Sequence, residues 1–310
     1  MVSLFKKIHF YFKSSLALLT LLFCAVYGVL ASVVLGISGK KYLSQWATAR
    51  FFYCVFSNLF NIKIEVEHEE RLQSLPSIII GNHQSVLDIL ILGKIFPKGC
   101  FVTSKESLKY VPFLGWFMSL SGTFFINRSN RERAVRTLNN ALEEMKKNKH
   151  AIFMFPEGTR SYALTPTLLP FKKGAFHMAV QSGIQIVPIV LSNTSSLVSG
   201  KLYNFKQGII KIKVLEPIQT SHLTKDDVHK LAENTRQQML EVVNELGFSK
   251  VNGDDFTNDT LEQEATQVIE QQQSQDATTD LDVTDMDTSV QEEQVHESTS
   301  LLSNKKGVTD

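Results

Sequence analysis

The chain has 310 residues, 43% of them hydrophobic, and a formal net charge of +1; that is enough for one sizeable α/β domain once an apolar N-terminus and a polar C-terminus are set aside. The near-neutral total conceals a split, because residues 1–250 carry 30 Lys and Arg against 16 Asp and Glu, whereas residues 251–310 carry 2 against 15. A basic body suits anionic substrates or lipid surfaces, and no nucleic-acid-binding motif accompanies it, which turns the reading away from RNA and DNA. Cys24, Cys54 and Cys100 stand apart with no CxxC spacing and are read as reduced, unpaired thiols.

Leu16 to Ile37 is a run of 22 residues without a charged side chain, long enough at about 1.5 Å per residue to cross a bilayer core. It exceeds the apolar stretch of a cleaved signal peptide and is read as a retained anchor. Lysines flank it on both sides, so charge bias leaves its orientation open. Phe51 to Ile64 is a second apolar segment, interrupted by Asn58, Asn61 and Lys63. It reads as an interfacial or re-entrant helix, or as the second leg of a helical hairpin.

Alternation then predicts a strand at Ile62 to Glu67, and a β-branched run predicts a buried one at Ser77 to Gly81. A helix is expected from Ser85 to Leu92 and a strand at Cys100 to Thr103. The aromatic stretch Tyr110 to Phe117 fills a core, lines a route for an apolar chain or dips into a bilayer; its composition does not choose. Further strands are expected at Gly122 to Ile126, Ala151 to Phe155, Ile186 to Leu191 and Gly208 to Leu215. Helices are expected at Glu132 to Asn148, with Ala134, Leu138, Leu142 and Met145 on one face, at Lys173 to Ser182, and within Ser221 to Leu246 from a start near Thr224. From Ser249 the chain is acidic and Gln-rich, with too little apolar area to offset backbone ordering, so disorder is expected. The succession predicts an α/β fold: a mixed, mostly parallel sheet flanked by helices, with an N-terminal membrane-anchoring helical segment.

Chemistry concentrates at strand ends, where open α/β sheets gather reactive groups. Asn82-His83-Gln84-Ser85-Val86-Leu87-Asp88 follows the strand at Ser77 to Gly81. If Ser85 onward turns into a helix, the Asp88 carboxylate can hold the His83 ring with one nitrogen free to take a proton. No serine or cysteine nucleophile is implied, so the base suits a hydroxyl supplied by the substrate. The second cluster is Phe155-Pro156-Glu157-Gly158-Thr159-Arg160-Ser161. There Pro156 stops a strand, Gly158 permits a tight approach, and Arg160 presents a guanidinium fork suited to phosphate. Lys105, Arg128, Lys172 and Lys173 add cations near predicted strand ends. His83 and Asp88 lack a second histidine or cysteine at metal-ligand spacing. Neither a G-x-S-x-G elbow, a P-loop nor a dinucleotide fingerprint is present.

Together these blocks resemble the 1-acyl-sn-glycerol-3-phosphate acyltransferases of fungal type. Asn82-His83-Gln84-Ser85-x-x-Asp88 is similar to the first family block, Gly122-Thr123-Phe124-Phe125-Ile126-Asn127-Arg128 to the second, Phe155 to Ser161 to the third, and Ile186-Val187-Pro188-Ile189-Val190 to the fourth. The resemblance covers residues 15–247. The element pattern and composition divide the chain into a membrane-anchoring helical region over 1–64, an acyltransferase domain over 65–248 and an acidic tail over 249–310, and the tail lies outside the resemblance.

The implied reaction carries an acyl group from acyl-CoA to the sn-2 hydroxyl of lysophosphatidic acid, with no tightly bound cofactor. His83 and Asp88 are then catalytic, while Lys105, Arg128, Glu157, Gly158 and Arg160 serve substrate binding, Glu157 through Arg160. Implied partners are the two substrates and membrane lipids, and the implied location is the endoplasmic reticulum membrane, with the lipid droplet as a second site. Competing readings are acylation of another lysophospholipid or of glycerol 3-phosphate, and a non-catalytic membrane scaffold.

Overall fold

The computed structural model describes residues 4–126 and 131–252, together with Gln263, Thr266 and Val268. Arg128 and nearly all of the tail expected to be disordered lie outside the described residues. One compact unit spans residues 1–258 and contains every element discussed below.

It opens with two helices, α1 (Leu4–Ile37) and α2 (Ser44–Phe60), which pack together after a short turn. The second leg of the hairpin therefore starts at Ser44, seven residues before the apolar stretch begins, because Gln45, Thr48 and Arg50 hide its start from a hydropathy reading. The remaining elements are β1 (Ile62–Glu67), β2 (Ser77–Gly81), α3 (Asp88–Ile95), β3 (Cys100–Lys105), α4 (Leu114–Leu120), β4 (Phe124–Ile126), α5 (Arg131–Asn148), β5 (Ala151–Met154), α6 (Gly174–Ser182), β6 (Ile186–Leu191), β7 (Val198–Ser199), β8 (Asn204–Phe205), β9 (Gly208–Val214), α7 (Val228–Leu246) and β10 (Lys250–Val251).

Eight strands form one sheet in the order β1-β9-β6-β2-β5-β3-β4, with β10 added to β9. The β6–β9 and β9–β10 pairs are antiparallel and the others parallel, so the sheet is mixed and mostly parallel. β2 shows why. Every one of its residues is buried, with Ile79 facing the cluster that includes Phe52, Phe56 and Leu90, and Ile78 and Ile80 facing the one that includes Leu142, Phe176 and Met239. A strand covered on both faces needs this unbroken apolar run, and each fully buried isoleucine contributes about 1.5–3 kcal/mol.

The first cluster is roofed by α1, α2 and α3, and the second by α5, α6 and α7. The N-terminal helix pair is thus built into one layer of the domain. The expected domain edges are also crossed: β1 begins before residue 65, and Ser249 to Val251 continue the fold through β10, which pairs with Gly208 and Ile209 of β9.

Candidate active site

β2, β5 and β6 lie side by side in parallel, with Ile80 opposite Met154 and Gly81 opposite Ile189. Their carboxyl ends therefore deliver Asn82, Phe155 and Ser192 to one edge of the sheet. The loop from Asn82 to Leu87 is fastened there by its own side chains. Asn82 pairs with Leu191, Nδ2 donating to its carbonyl at 3.1 Å and Oδ1 accepting from its N–H at 2.9 Å. Buried Gln84 donates to the Leu191 and Ser192 carbonyls, each at 3.1 Å, and accepts from the Thr194 N–H at 2.9 Å. On the other side the Ser161 and Tyr162 amides donate to the His83 and Gln84 carbonyls at 2.9 and 3.0 Å. The reactive loop is hydrogen-bonded to both flanking loops, which leaves little freedom where preorganisation matters.

α3 starts at Asp88, three residues later than expected, because Ser85 to Leu87 form a turn in which Ser85 Oγ accepts from the Leu87 amide. That turn aims the Asp88 carboxylate back at the loop. A single oxygen, Oδ2, accepts from His83 Nδ1 at 2.6 Å, the Gln84 amide at 2.9 Å and the Ser85 amide at 3.1 Å, while buried Oδ1 has no hydrogen-bond partner. Burial pushes the Asp88 carboxyl above its usual range, opposed by His83 and the two amides. With Nδ1 committed to the carboxylate, Nε2 is the imidazole nitrogen left for proton transfer. The ring is stacked on Phe155 at 3.9 Å between centroids with 13° between planes, so its orientation is fixed from the side as well as from behind.

Glu157 is placed differently from the substrate contact expected of it. Its carboxylate is buried, with Oε1 accepting from the His83 N–H at 2.7 Å and Oε2 from the Leu169 N–H at 3.0 Å. It holds the His83 and Leu169 backbone amides and not the Arg160 guanidinium. Burial raises its pKa against those two hydrogen bonds. Glu157→Gln keeps the shape but turns an amide NH₂ toward one of two backbone donors. Leaving a buried donor unmet costs about 1–3 kcal/mol. A lower unfolding midpoint together with slower acyl transfer is the expected result; a variant matching the wild type in both would show that the brace is dispensable.

His83 and Asp88 open onto a cavity of about 450 Å³. Its lining includes Lys105, Gly158, Thr159 and Arg160 together with the apolar Phe52, Leu92, Phe96 and Phe117, and α1 contributes Leu21, Cys24 and Ala25. Gly158 adopts φ +73°, a conformation that disfavours side chains. Arg160 donates from Nη1 to the Tyr162 hydroxyl at 3.4 Å, and its buried Nε has no hydrogen-bond partner. Of the expected site residues, the fold brings His83, Asp88, Lys105, Gly158 and Arg160 to this cavity and sets Glu157 behind it; Arg128 lies outside the described residues. Phe155, Asn82 and Gln84, which position His83, and the apolar chamber itself were not singled out from sequence. The chamber draws on six separated segments, so no local pattern announces it. Among the described residues, no group of three or more His, Cys, Asp or Glu is placed to hold a metal.

A histidine–carboxylate pair at the carboxyl edge of an α/β sheet, opening onto a largely apolar cavity beside an apolar helix pair, fits the transfer of an acyl group to a substrate hydroxyl. The family model described as Acyltransferase matches residues 63–192. The chain is 52% identical to the 1-acyl-sn-glycerol-3-phosphate acyltransferase of Saccharomyces cerevisiae over 80% of this chain and 82% of that protein. It is 35% identical to the beta form of Homo sapiens over 77% and 85%. The crystal structure of the 1-acyl-sn-glycerophosphate acyltransferase from Thermotoga maritima aligns with a TM-score of 0.58 at 25% identity, covering 78% of this chain and 95% of that one. The chain belongs to the 1-acyl-sn-glycerol-3-phosphate acyltransferase family.

Proposed function

We propose that the protein transfers a fatty acyl group from acyl-CoA to the sn-2 hydroxyl of 1-acyl-sn-glycerol 3-phosphate, giving phosphatidic acid and free CoA. The observation that carries this reading is the convergence of the His83–Asp88 pair, two cations and an apolar chamber in one cavity. His83 Nε2 takes the proton of the acceptor hydroxyl as its oxygen attacks the thioester carbonyl carbon. Asp88 stabilises the imidazolium so formed. Collapse of the tetrahedral intermediate breaks the C–S bond, and the imidazolium returns the proton to the CoA sulfur. Arg160 and Lys105, with Arg128, bind the acceptor phosphate. Guanidinium groups suit this role because they offer paired donors to phosphate oxygens, and the unmet Nε of Arg160 is such a donor.

Arg160→Ala is expected to raise KM for lysophosphatidic acid roughly 10- to 10²-fold, the worth of a hydrogen bond to a charged group, and to leave transfer to an uncharged long-chain alcohol nearly unaffected. Equal losses with both acceptors would remove Arg160 from phosphate recognition. Lysophosphatidylcholine and glycerol 3-phosphate, assayed beside lysophosphatidic acid, test the acceptor assignment, which fails if either is turned over as fast.

A single helix, α1, is long and apolar enough to cross a membrane among the described residues, consistent with membrane association. The domain flanks α1 along its length. Lys13 Nζ donates to the Phe205 carbonyl at 3.1 Å, Tyr27 stacks on Phe51 at 3.9 Å, and Gly28 abuts Phe117. From Lys13 to Gly28 is about 22 Å of helix rise, most of a hydrocarbon core, and a polar domain cannot accompany a spanning helix over that distance. These contacts support a reading in which α1 lies along one leaflet with its outer face in lipid. The resemblance to fungal enzymes supports placement at the endoplasmic reticulum membrane, with the lipid droplet as a second site.

A further inference from the structure

The aromatic stretch left open by the sequence has a two-sided structure. Glu106–Tyr110 form a 3-10 turn that runs into α4. Leu114, Phe117 and Met118 face the cavity. The opposite side is apolar too: Tyr110 is 76% exposed, Trp116 55% and Leu120 40%, with Val111 and Phe113 also exposed. A helix that is hydrophobic all round belongs in a protein core or in a membrane, and this one has a core on one side only.

The backbone is committed to that display. Phe113 sits at φ +61°, ψ −52°, a genuine outlier for an aromatic residue. Gly115 approaches the preceding turn so closely that a Cβ would lie 2.1 Å from the Lys109 carbonyl oxygen. The amides of Leu114 and Gly115 close the corner onto the Pro112 and Val111 carbonyls, both at 2.7 Å. This fold-back sets the Phe113 and Trp116 rings 5.0 Å apart, edge to face, on the outer surface. Strain held in place by a tight turn points to a function; here the strained residue presents an aromatic pair to solvent.

We propose that the Glu106–Leu120 segment is a second membrane-inserting element, with the Phe113–Trp116 pair immersed at the interface of the same leaflet that holds the outer face of α1. Continuity supports lipid as the occupant, because Phe117 of α4 packs against Gly28 of α1, whose neighbours Val26 and Leu30 are themselves exposed apolar residues. Charge supports it as well. Exposed Lys105 and Lys109 precede the patch, and exposed Lys40 and Lys41 lie in the turn after α1, with Lys41 Cε next to Gly122 at the far end of α4. An apolar surface rimmed by long cationic side chains matches acyl chains beneath anionic headgroups. Tryptophan favours that depth.

The proposal rests on the membrane-associated acyltransferase reading, but its test needs no turnover, so a wrong acceptor assignment and a wrong docking surface are distinguishable. Trp46 and Trp116 are the two tryptophans, and Trp46→Phe leaves Trp116 as the reporter in the full chain. Reconstitution into vesicles of phosphatidylcholine and phosphatidylserine brominated on the acyl chains is expected to quench most of the Trp116 emission and to blue-shift the remainder. A Leu22→Trp reporter, in a chain also carrying Trp46→Phe and Trp116→Phe, verifies insertion of α1. Quenching of that reporter without quenching of Trp116 overturns the proposal. So does a Trp116 blue shift that grows with protein concentration in detergent and stays insensitive to bromine, which would make the occupant a second copy of the chain.

Discussion

Replacing His83 by Ala is expected to lower kcat/KM for acyl transfer about 10²- to 10⁴-fold, the range for removing a positioned general base, with the unfolding midpoint close to that of the wild type. The side chain is only partly buried and its backbone contacts to Glu157 and Ser161 do not involve the ring, so the substitution removes chemistry with little architecture. Release of CoA measured against a series of acceptor concentrations reads the effect. Turnover within a few-fold of the wild type would end the general-base account.

The second large effect belongs to Asp88, where two substitutions separate orientation from charge. Asp88→Ala deletes the acceptor for three donors at once and frees the ring to rotate, so a loss of about 10²- to 10⁴-fold is expected, comparable to losing His83 itself. Asp88→Asn can keep its carbonyl oxygen where Oδ2 sits, still accepting from His83 Nδ1 and the amides of Gln84 and Ser85, because the amide nitrogen then occupies the unpartnered Oδ1 position. The opposite flip would point an NH₂ at three donors. Ring orientation and tautomer survive, and only the negative charge opposing the imidazolium is lost. That predicts a milder fall of roughly 10- to 10²-fold, the worth of one charge-assisted hydrogen bond. If the Asn variant is as inactive as the Ala variant, charge and not orientation is what Asp88 supplies.

Much of the sheet was legible because both its faces are covered. Ser77 to Gly81, Ala151 to Met154 and Ile186 to Leu191 announce themselves as short β-branched or aromatic runs, and in each case the observed strand matches the expected one or ends within one residue of it. β7, β8 and β10 are two residues long and carry no periodicity to read. The His83–Asp88 pair was legible from spacing because both residues sit in one loop and the turn after it. Glu157 was not: a glutamate beside an arginine suggests an ion pair, and nothing local reveals that two backbone amides, one of them 74 residues away, claim its carboxylate. The aromatic stretch before Leu120 stayed ambiguous because it does two things, lining a chamber on one side and facing outward on the other.

Leu21, Cys24 and Ala25 of α1, and Gln45, Thr48 and Phe52 of α2, line the cavity onto which His83 and Asp88 open, and the Gln45 carboxamide accepts from the Val102 amide at 3.0 Å inside the sheet layer. The tether and the pocket are therefore one object. Trimming the first two helices to obtain a detergent-free enzyme would unroof the cavity beside His83, and a borrowed apolar helix of equal hydropathy would not restore that enclosure.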